Sequence, residues 1–441
     1  MSVIEENFKD QKHYLKIGNY TDSLSDFNMA DNANNDNLRD SYRKKIEPWL
    51  SAILQSDHLS LLCGTGLTQA ICSIAEIPPA SMNRMTFIEQ YEEKIKTYAN
   101  NSAKRLGRGN ANIEDDIRTA LELYRGLEIG GKSDSTKILG DDIDRVLKQF
   151  ADSILSPEQM FYKNLIEDEN GKSHYALQIL KSFLLTFASR SATRDRLHIF
   201  TTNYDRFIEY GCDKAGINII DRFLGKIEPV FQNLSPNLDY HYIVQGSKND
   251  FRYVEGVVRY SKIHGSLDWI QRKNKIIKAN LKFGAQNLED VSDYKDQLMI
   301  FPNSMKSIET AYYPYSELFR DFSYSICRPN SSLITYGYGF GDSHINKIIL
   351  EMLRVPSSHI VIISYSIDDR LKNFLQEINS SQVTLLCGSE LGNLENLVRY
   401  YLPKSAIDNI TSLASDILKR REGYSPKNDQ EASVTYGEEN E

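Results

Sequence analysis

The sequence predicts an α/β protein built on a parallel sheet with helices on both faces and a large helical insertion. Three observations predict it. Apolar, β-branched runs at 59–63, 197–201, 333–336, 359–364 and 383–386 alternate with stretches of helical periodicity, as buried parallel strands do. Three runs break at Gly, Thr or Asn: Leu-Ser-Leu-Leu-Cys-Gly-Thr-Gly-Leu-Thr (59–68), Ile-Phe-Thr-Thr-Asn-Tyr-Asp (199–205) and Ile-Thr-Tyr-Gly-Tyr-Gly-Phe-Gly-Asp (334–342). Ligands in such sheets bind beyond the carboxyl ends of the strands. Between Pro78 and Thr193 no strand pattern occurs.

Residues 1–40 are polar, with Asn and Asp crowded at 27–37, and read as an irregular or partner-dependent arm. Tyr42, Ile46, Trp49, Leu50, Ile53 and Leu54 fall at helical spacing and place a helix over 41–56. The strand 59–63 ends at Gly64 and Gly66, and Leu67–Ala75 continues as a helix. Helices follow at 87–105, 113–124, 143–154 and 175–187, separated by Gly-rich and Ser-rich stretches (107–109, 130–135). They make up an insertion at about 79–193, large enough for a subdomain. The sheet resumes at 197–201, followed by a helix over 206–215, short strands in 217–231, and strands at 253–263, 267–278 and 298–301. A helix over 313–327, the strand 333–336, a helix over 345–353 and the strands 359–364 and 383–386 complete the sheet. Helices from Leu394 and Ala406 finish a domain expected to span 41–423, and the acidic tail 424–441 reads as disordered.

Composition excludes several classes. The 441 residues carry a net charge of −8 and no overall basic face, so direct nucleic-acid binding is not expected. Arg272-Lys273-Asn274-Lys275 reads as a solvated hairpin. Five scattered cysteines without a Cys-x-x-Cys point away from disulfide scaffolding and from a structural zinc site. No signal peptide and no segment near the roughly 18 apolar residues of a spanning helix is visible, so a soluble, cytoplasmic protein is expected.

The candidate chemistry lies at the strand ends. Gly64-Thr65-Gly66-Leu67-Thr68 follows a buried strand and opens a helix, where glycines admit a phosphate and free N–H groups meet it. Position 69 is Gln, so the full Gly-x-Gly-x-x-Gly is absent, and a tight turn without ligand fits equally. Asn203 suits a ribose hydroxyl or a positioned water; a helix N-cap is its commoner use. Asp205 fits an ordinary first-turn acid. His264, in Lys-Ile-His-Gly-Ser-Leu-Asp-Trp (262–269), suits proton transfer near neutral pH, with Gly265 leaving room for a substrate; a lone histidine is also often structural. The alternating glycines 337, 339 and 341 demand a sharp bend or a close ligand, and Asp342 reads as the cap of the next helix. Ser364-Tyr365-Ser366 ends the following strand, where an adenosine or plain solvent fits.

Together these pieces resemble the sirtuin family, which implies a Rossmann-like, NAD-binding fold. Gly64-Thr65-Gly66-Leu67-Thr68 is similar to the family's phosphate-receiving Gly-Ala-Gly-Ile-Ser turn. Thr201-Thr202-Asn203-Tyr204-Asp205 is similar to its Thr-Gln-Asn-Ile-Asp segment, and His264-Gly265 to its catalytic His-Gly pair. Gly337-Tyr338-Gly339-Phe340 occupies the place of its Gly-Thr-Ser loop. The resemblance covers mainly 41–78 and 195–390. It implies catalytic roles for Asn203 and His264, and NAD contacts for Gly64, Thr65, Gly66, Leu67, Thr68, Asp205, Gly337, Gly339, Phe340, Ser364 and Tyr365, with NAD as substrate. The zinc ribbon of sirtuin deacylases and their Pro-Asp-Phe-Arg segment are missing; Ile77-Pro78-Pro79-Ala80-Ser81-Met82 stands in the latter's place. No metal is therefore expected, and acyl-lysine deacylation is disfavoured. The variant motifs look more like bacterial sirtuin-like proteins of antiphage defence, which implies an NAD glycohydrolase that depletes NAD in abortive infection. With no sensor domain in the chain, the resemblance implies a homo-oligomer and a partner, a HerA-type hexameric ATPase. An NAD-dependent deacylase or ADP-ribosyltransferase, and a non-catalytic NAD- or ADP-ribose-sensing scaffold, are the alternatives.

Overall fold

In chain order the elements that build the site are β1 (Tyr14–Ile17), β2 (Tyr20–Asp22), α1 (Asn32–Leu54), β3 (His58–Cys63), α2 (Thr65–Ile74), α3 (Glu89–Arg105), α4 (Ile113–Ile129), α5 (Ser133–Glu167), α6 (Lys172–Ala188), β4 (His198–Thr201), α7 (Phe207–Ala215), β5 (Asn218–Ile220), β6 (Val257–Lys262), α8 (Tyr315–Ile326), β7 (Ser331–Tyr336), α9 (Ser343–Met352), β8 (His359–Ser364), α10 (Asp369–Gln376) and β9 (Val383–Cys387). The structure, a computed structural model, describes residues 13–24, 32–80, 83–105, 110–233, 238–243, 251–272, 275–288 and 313–404. The described residues up to Pro403 belong to one compact unit. The strand expected at 298–301, the Gly-rich stretch 107–109, the centre of the 272–275 hairpin, the helix from Ala406 and the acidic tail lie outside the described residues.

Nine strands form one sheet in the order β2-β1-β9-β8-β7-β3-β4-β6-β5. From β9 to β5 every pair is parallel, while β1 runs antiparallel to β9 and β2 to β1. This is the Rossmann-like α/β architecture the resemblance implies. The chain enters the parallel sheet at β3, builds β4, β5 and β6 on one side, then returns to build β7, β8 and β9 on the other. The order therefore reverses beside β3, a topological switch point.

The two-residue period of the strands assigns their side chains to two layers. Leu59, Leu61, Cys63, Ile334, Tyr336, Val361 and Ile363 pack under Ile46 and Leu50 of α1, Leu67 and Ile71 of α2, Leu180 and Phe183 of α6, and Phe207 of α7. Leu62, Leu333, Ile360, Ile362 and Leu385 face Phe322 and Ile326 of α8, Ile345 and Ile349 of α9, and Phe374 of α10. Strands buried on both faces are what the unbroken apolar runs predict.

Helices α3, α4 and the first half of α5 form a separate apolar cluster, in which Ile95, Ile117, Val146 and Phe150 pack with Tyr204, Leu267 and Ile277. Within the expected insertion the structure draws a further division. α6 packs on the main sheet, and α5 runs on as one 35-residue helix whose Phe161 and Leu165 also reach the main core.

Other expectations are corrected. Within the stretch read as an irregular arm, Tyr14–Ile17 is a fully buried strand between β2 and β9, and α1 already starts at Asn32. A lysine masks the strand pattern: Lys16 is buried but donates its ammonium to the Gly18 carbonyl (3.1 Å) and the Val383 carbonyl (2.9 Å). The expected strand 253–263 is broken at Gly256, whose φ of +69° suits glycine, leaving a strand at Phe251–Tyr253 and then β6. The expected strand 267–278 is a hairpin, Trp269–Arg272 against Lys275–Lys278. Among the described residues no helix is long and apolar enough to cross a membrane.

Candidate functional site

Strand register brings the motif loops to one edge. Cys63 pairs with Tyr336 of β7 and Thr201 of β4, and Thr201 pairs with Lys262 of β6. The residues that follow, Gly64, Gly337, Thr202 and Ile263, thus leave the sheet at one level. Between their loops and the helical insertion lies a cavity of about 590 Å³, within the usual range of ligand sites. It is lined by Gly64, Thr65, Thr68, Asn203, Asp205, His264, Gly339 and Asp342 among others.

The glycines of the first and last loops hold the protein to itself. A Cβ on Gly66 would lie 2.6 Å from the Gly337 Cα, and one on Gly64 2.5 Å from the Gly337 carbonyl oxygen. Gly337, at φ +62°, requires glycine both for its backbone and for this approach. The Gly66 N–H donates to the Gly337 carbonyl (3.0 Å) and the Leu67 N–H to the Gly64 carbonyl (3.0 Å). These two donors are spent inside the protein, while Gly64 and Thr65 border the cavity at the start of α2.

Asn203 is buried at the cavity wall. Its Nδ2 donates to the Gly64 carbonyl and to the Thr68 hydroxyl, each at 3.0 Å. The carbonyl accepts only, which fixes the amide's orientation. Its Oδ1 is left buried with no partner among the described residues, an arrangement folded proteins seldom leave unanswered. Thr68 in turn donates to Asp205 Oδ2 at 2.6 Å, and Asp205 Oδ1 accepts from the Phe207 N–H at 3.3 Å. Burial pushes the Asp205 carboxyl up, opposed chiefly by the charge of Lys262. Asp205 is therefore a support for Thr68 and Asn203; it precedes the N-cap Arg206, so the first-turn acid of α7 is Glu209 instead. Behind it, Glu158 of α5 accepts from the Arg206 backbone N–H (2.8 Å) and pairs with its guanidinium (2.6 Å). Burial pushes Glu158 up to about 7 against the pull of Arg206.

His264 is only 13% exposed and its Nε2 lies 3.0 Å from Asp342 Oδ2. The other oxygen of Asp342 accepts from the N–H groups of His344 (2.9 Å) and Ile345 (3.4 Å), capping α9. One carboxylate thus fixes the helix and the imidazole together. Since a carboxylate accepts, Nε2 carries the hydrogen, and in the neutral imidazole Nδ1 is then the acceptor. Tyr338, whose hydroxyl reaches the Asp342 carbonyl (3.2 Å) and Asn346 (2.9 Å), stiffens the loop beneath.

Six residues expected at the dinucleotide do not line the cavity. Gly66 and Gly337 close the loops on each other; Leu67 is in the main core. Phe340, at φ +50°, is buried against Tyr338 and Phe374. The Ser364 hydroxyl donates to the Ser366 carbonyl at 2.7 Å, and Tyr365 is exposed. In their place the cavity takes Thr202 and Tyr204, Arg370 at the start of α10, and Asn112, Glu114 and Asp115 from the insertion. Sequence reasoning found the cap role of Asp342 but not its imidazole contact, because a side chain 78 positions away carries no local signal. Arg370 and Glu114 look in sequence like ordinary helix-start residues. Among the described residues no group of His, Cys, Asp and Glu is placed to hold a metal ion.

Residues 197–383 match the family model of a SIR2-like domain. The match spans less than half of the chain; it takes in Asn203, His264 and the 337–342 loop and leaves out the Gly64 turn and the insertion. It supports a sirtuin-like protein with an NAD-related function. No curated protein matches the chain.

Proposed function

We propose that the chain is an NAD glycohydrolase that cleaves the nicotinamide–ribose bond. The observation that carries this reading is the meeting, in one cavity, of an oriented imidazole (His264 on Asp342) and a fixed amide whose Oδ1 lacks a partner among the described residues (Asn203). Nicotinamide departs as a neutral molecule and needs no acid; the sugar carbon becomes cationic and must be met by water. Asn203 Oδ1 accepts from a ribose hydroxyl or the incoming water. His264 Nδ1 takes the proton that water loses, and Asp342 steadies the imidazolium through Nε2, so that NAD and water give ADP-ribose, nicotinamide and a proton to solvent. Gly64, Thr65, Thr68 and Gly339 bound the space for the dinucleotide, and Arg370 offers a cation for its phosphates.

The similarity of Thr201–Asp205, His264–Ser266 and Gly337–Asp342 to sirtuin-like antiphage proteins supports NAD depletion during infection, by a homo-oligomer that works with a HerA-type ATPase. The test is nicotinamide release from NAD by the purified protein, with and without its genomic neighbours' products. We expect His264→Ala and Asn203→Ala to stay folded and lose release about a hundred- to ten-thousandfold. Full turnover by both variants would remove the assignment. Release that requires an acyl-lysine peptide would replace hydrolysis by transfer.

A further inference from the structure

We propose that Glu114, on the helical insertion, is a further catalytic residue of this site, its carboxylate countering the positive charge of the nicotinamide ring and the ribosyl cation. The proposal rests on the NAD-cleaving reading. The insertion presents the start of α4 to the cavity, and three consecutive acids stand there. Two are matched. Asp115 closes the capping box with Asn112 and pairs with Arg118 at 3.2 Å; Asp116 is buried on Arg84, with Nε at 2.8 Å. Glu114 alone of the three has no cation beside it among the described residues. Its one hydrogen-bond partner there is the Tyr204 hydroxyl, 3.0 Å from Oε1.

Tyr204 ties this acid to the reacting end of the cavity. Its ring centroid is 6.5 Å from that of His264, and it follows Asn203 in the chain. Burial, then the charge of Glu114, holds the phenol well above its ordinary range, so Tyr204 donates to Glu114 Oε1 and leaves Oε2 without a hydrogen bond among the described residues. Arg370 lies by the Gly341 loop, with Asp342 on the same loop engaged by His264 and the N–H groups of α9, and Glu114 lies on the insertion wall. A dinucleotide with an anionic pyrophosphate and a cationic nicotinamide matches that pattern, and preorganised charge of opposite sign stabilises charge that develops in a transition state. The insertion then completes the site as well as covering it.

The cationic ring gives a readout independent of turnover. Binding of NAD and of NADH, whose ring is neutral, is measured by calorimetry at low salt, with cleavage silenced by His264→Ala. Adding Glu114→Gln, which keeps the acceptor for Tyr204, is expected to lower the NAD-to-NADH affinity ratio about tenfold through loss of one charge interaction, with NADH binding unchanged. In the otherwise wild-type chain, Glu114→Gln should slow nicotinamide release at least about tenfold. Tyr204→Phe, which frees the carboxylate from its anchor, should show a smaller drop in the same ratio. An unchanged ratio in a folded Glu114→Gln protein overturns the role of Glu114 and leaves the hydrolase reading standing. A shifted ratio with no nicotinamide release by the wild-type chain in any assembly overturns the hydrolase reading and the catalytic role together.

Discussion

Asp342→Asn separates the two tasks of one carboxylate. On the helix side Oδ1 accepts from the His344 and Ile345 N–H groups at 2.9 and 3.4 Å. Asparagine keeps an oxygen there and caps about as well as aspartate, so the stability change should stay within about 0.5 kcal/mol. On the cavity side the oxygen 3.0 Å from His264 Nε2 becomes an amide NH₂. Two donors cannot face each other, so the imidazole takes the other tautomer: Nε2 becomes the acceptor and Nδ1 gains the hydrogen. The nitrogen assigned to accept the water's proton then has no lone pair to offer. Loss of a general base typically costs about 10²–10⁴ in rate, and that is the expected fall in nicotinamide release. Asp342→Ala removes the cap too and should cost a further ~1 kcal/mol in urea unfolding. Near-wild-type release by a folded Asp342→Asn protein would refute an imidazole held with its hydrogen on Nε2.

Two glycines should respond to alanine with opposite signs. In Gly337→Ala the new Cβ meets the backbone of Gly66 at 2.6 Å in a residue at φ +62°, and left-handed strain plus overpacking should cost about 2–4 kcal/mol in chemical denaturation. Gly126→Ala, exposed on α4 with open space at its Cβ, should stabilise by roughly 0.5–1 kcal/mol. His359, held by Thr384 at 2.8 Å, is lowered from the ordinary 6.5 to about 4, first by burial and then by the charge of Lys16. Its unfolded form binds a proton below about 6.5 that the folded form takes up only near 4. Its contribution is therefore intact above that window and lost as pH falls through it, by roughly 3 kcal/mol at most. The difference in urea stability between wild type and His359→Gln, followed from pH 7 to 4, checks this; a pH-independent difference would contradict it.

The resemblance read from separate loops extends to residues that the SIR2-like match omits, notably the Gly64 turn. What was legible was local. Gly-Thr-Gly after Leu-Ser-Leu-Leu-Cys and Asn203 after Ile-Phe-Thr-Thr announce turns at the ends of buried strands, because only small or capping residues leave such strands sharply. The β1 strand was hidden by Lys16, whose charge argues for solvent until the carbonyls of Gly18 and Val383 are known to receive it. The adenosine contacts expected of Ser364 and Tyr365 rested on strand position alone, and the cavity reaches Arg370 instead.

The sequence by itself determined the alternation of strands and helices, the residues at the strand ends and the candidate pair Asn203 and His264. These follow from side-chain period and backbone chemistry, which neighbours in the chain dictate. Only the tertiary structure decided that Gly66 and Gly337 clasp each other, that Asp342 serves both helix and imidazole, and that Glu114 from the insertion borders the same cavity. Each depends on strand register or on packing between segments far apart in the chain, and such contacts leave no periodic trace in either partner.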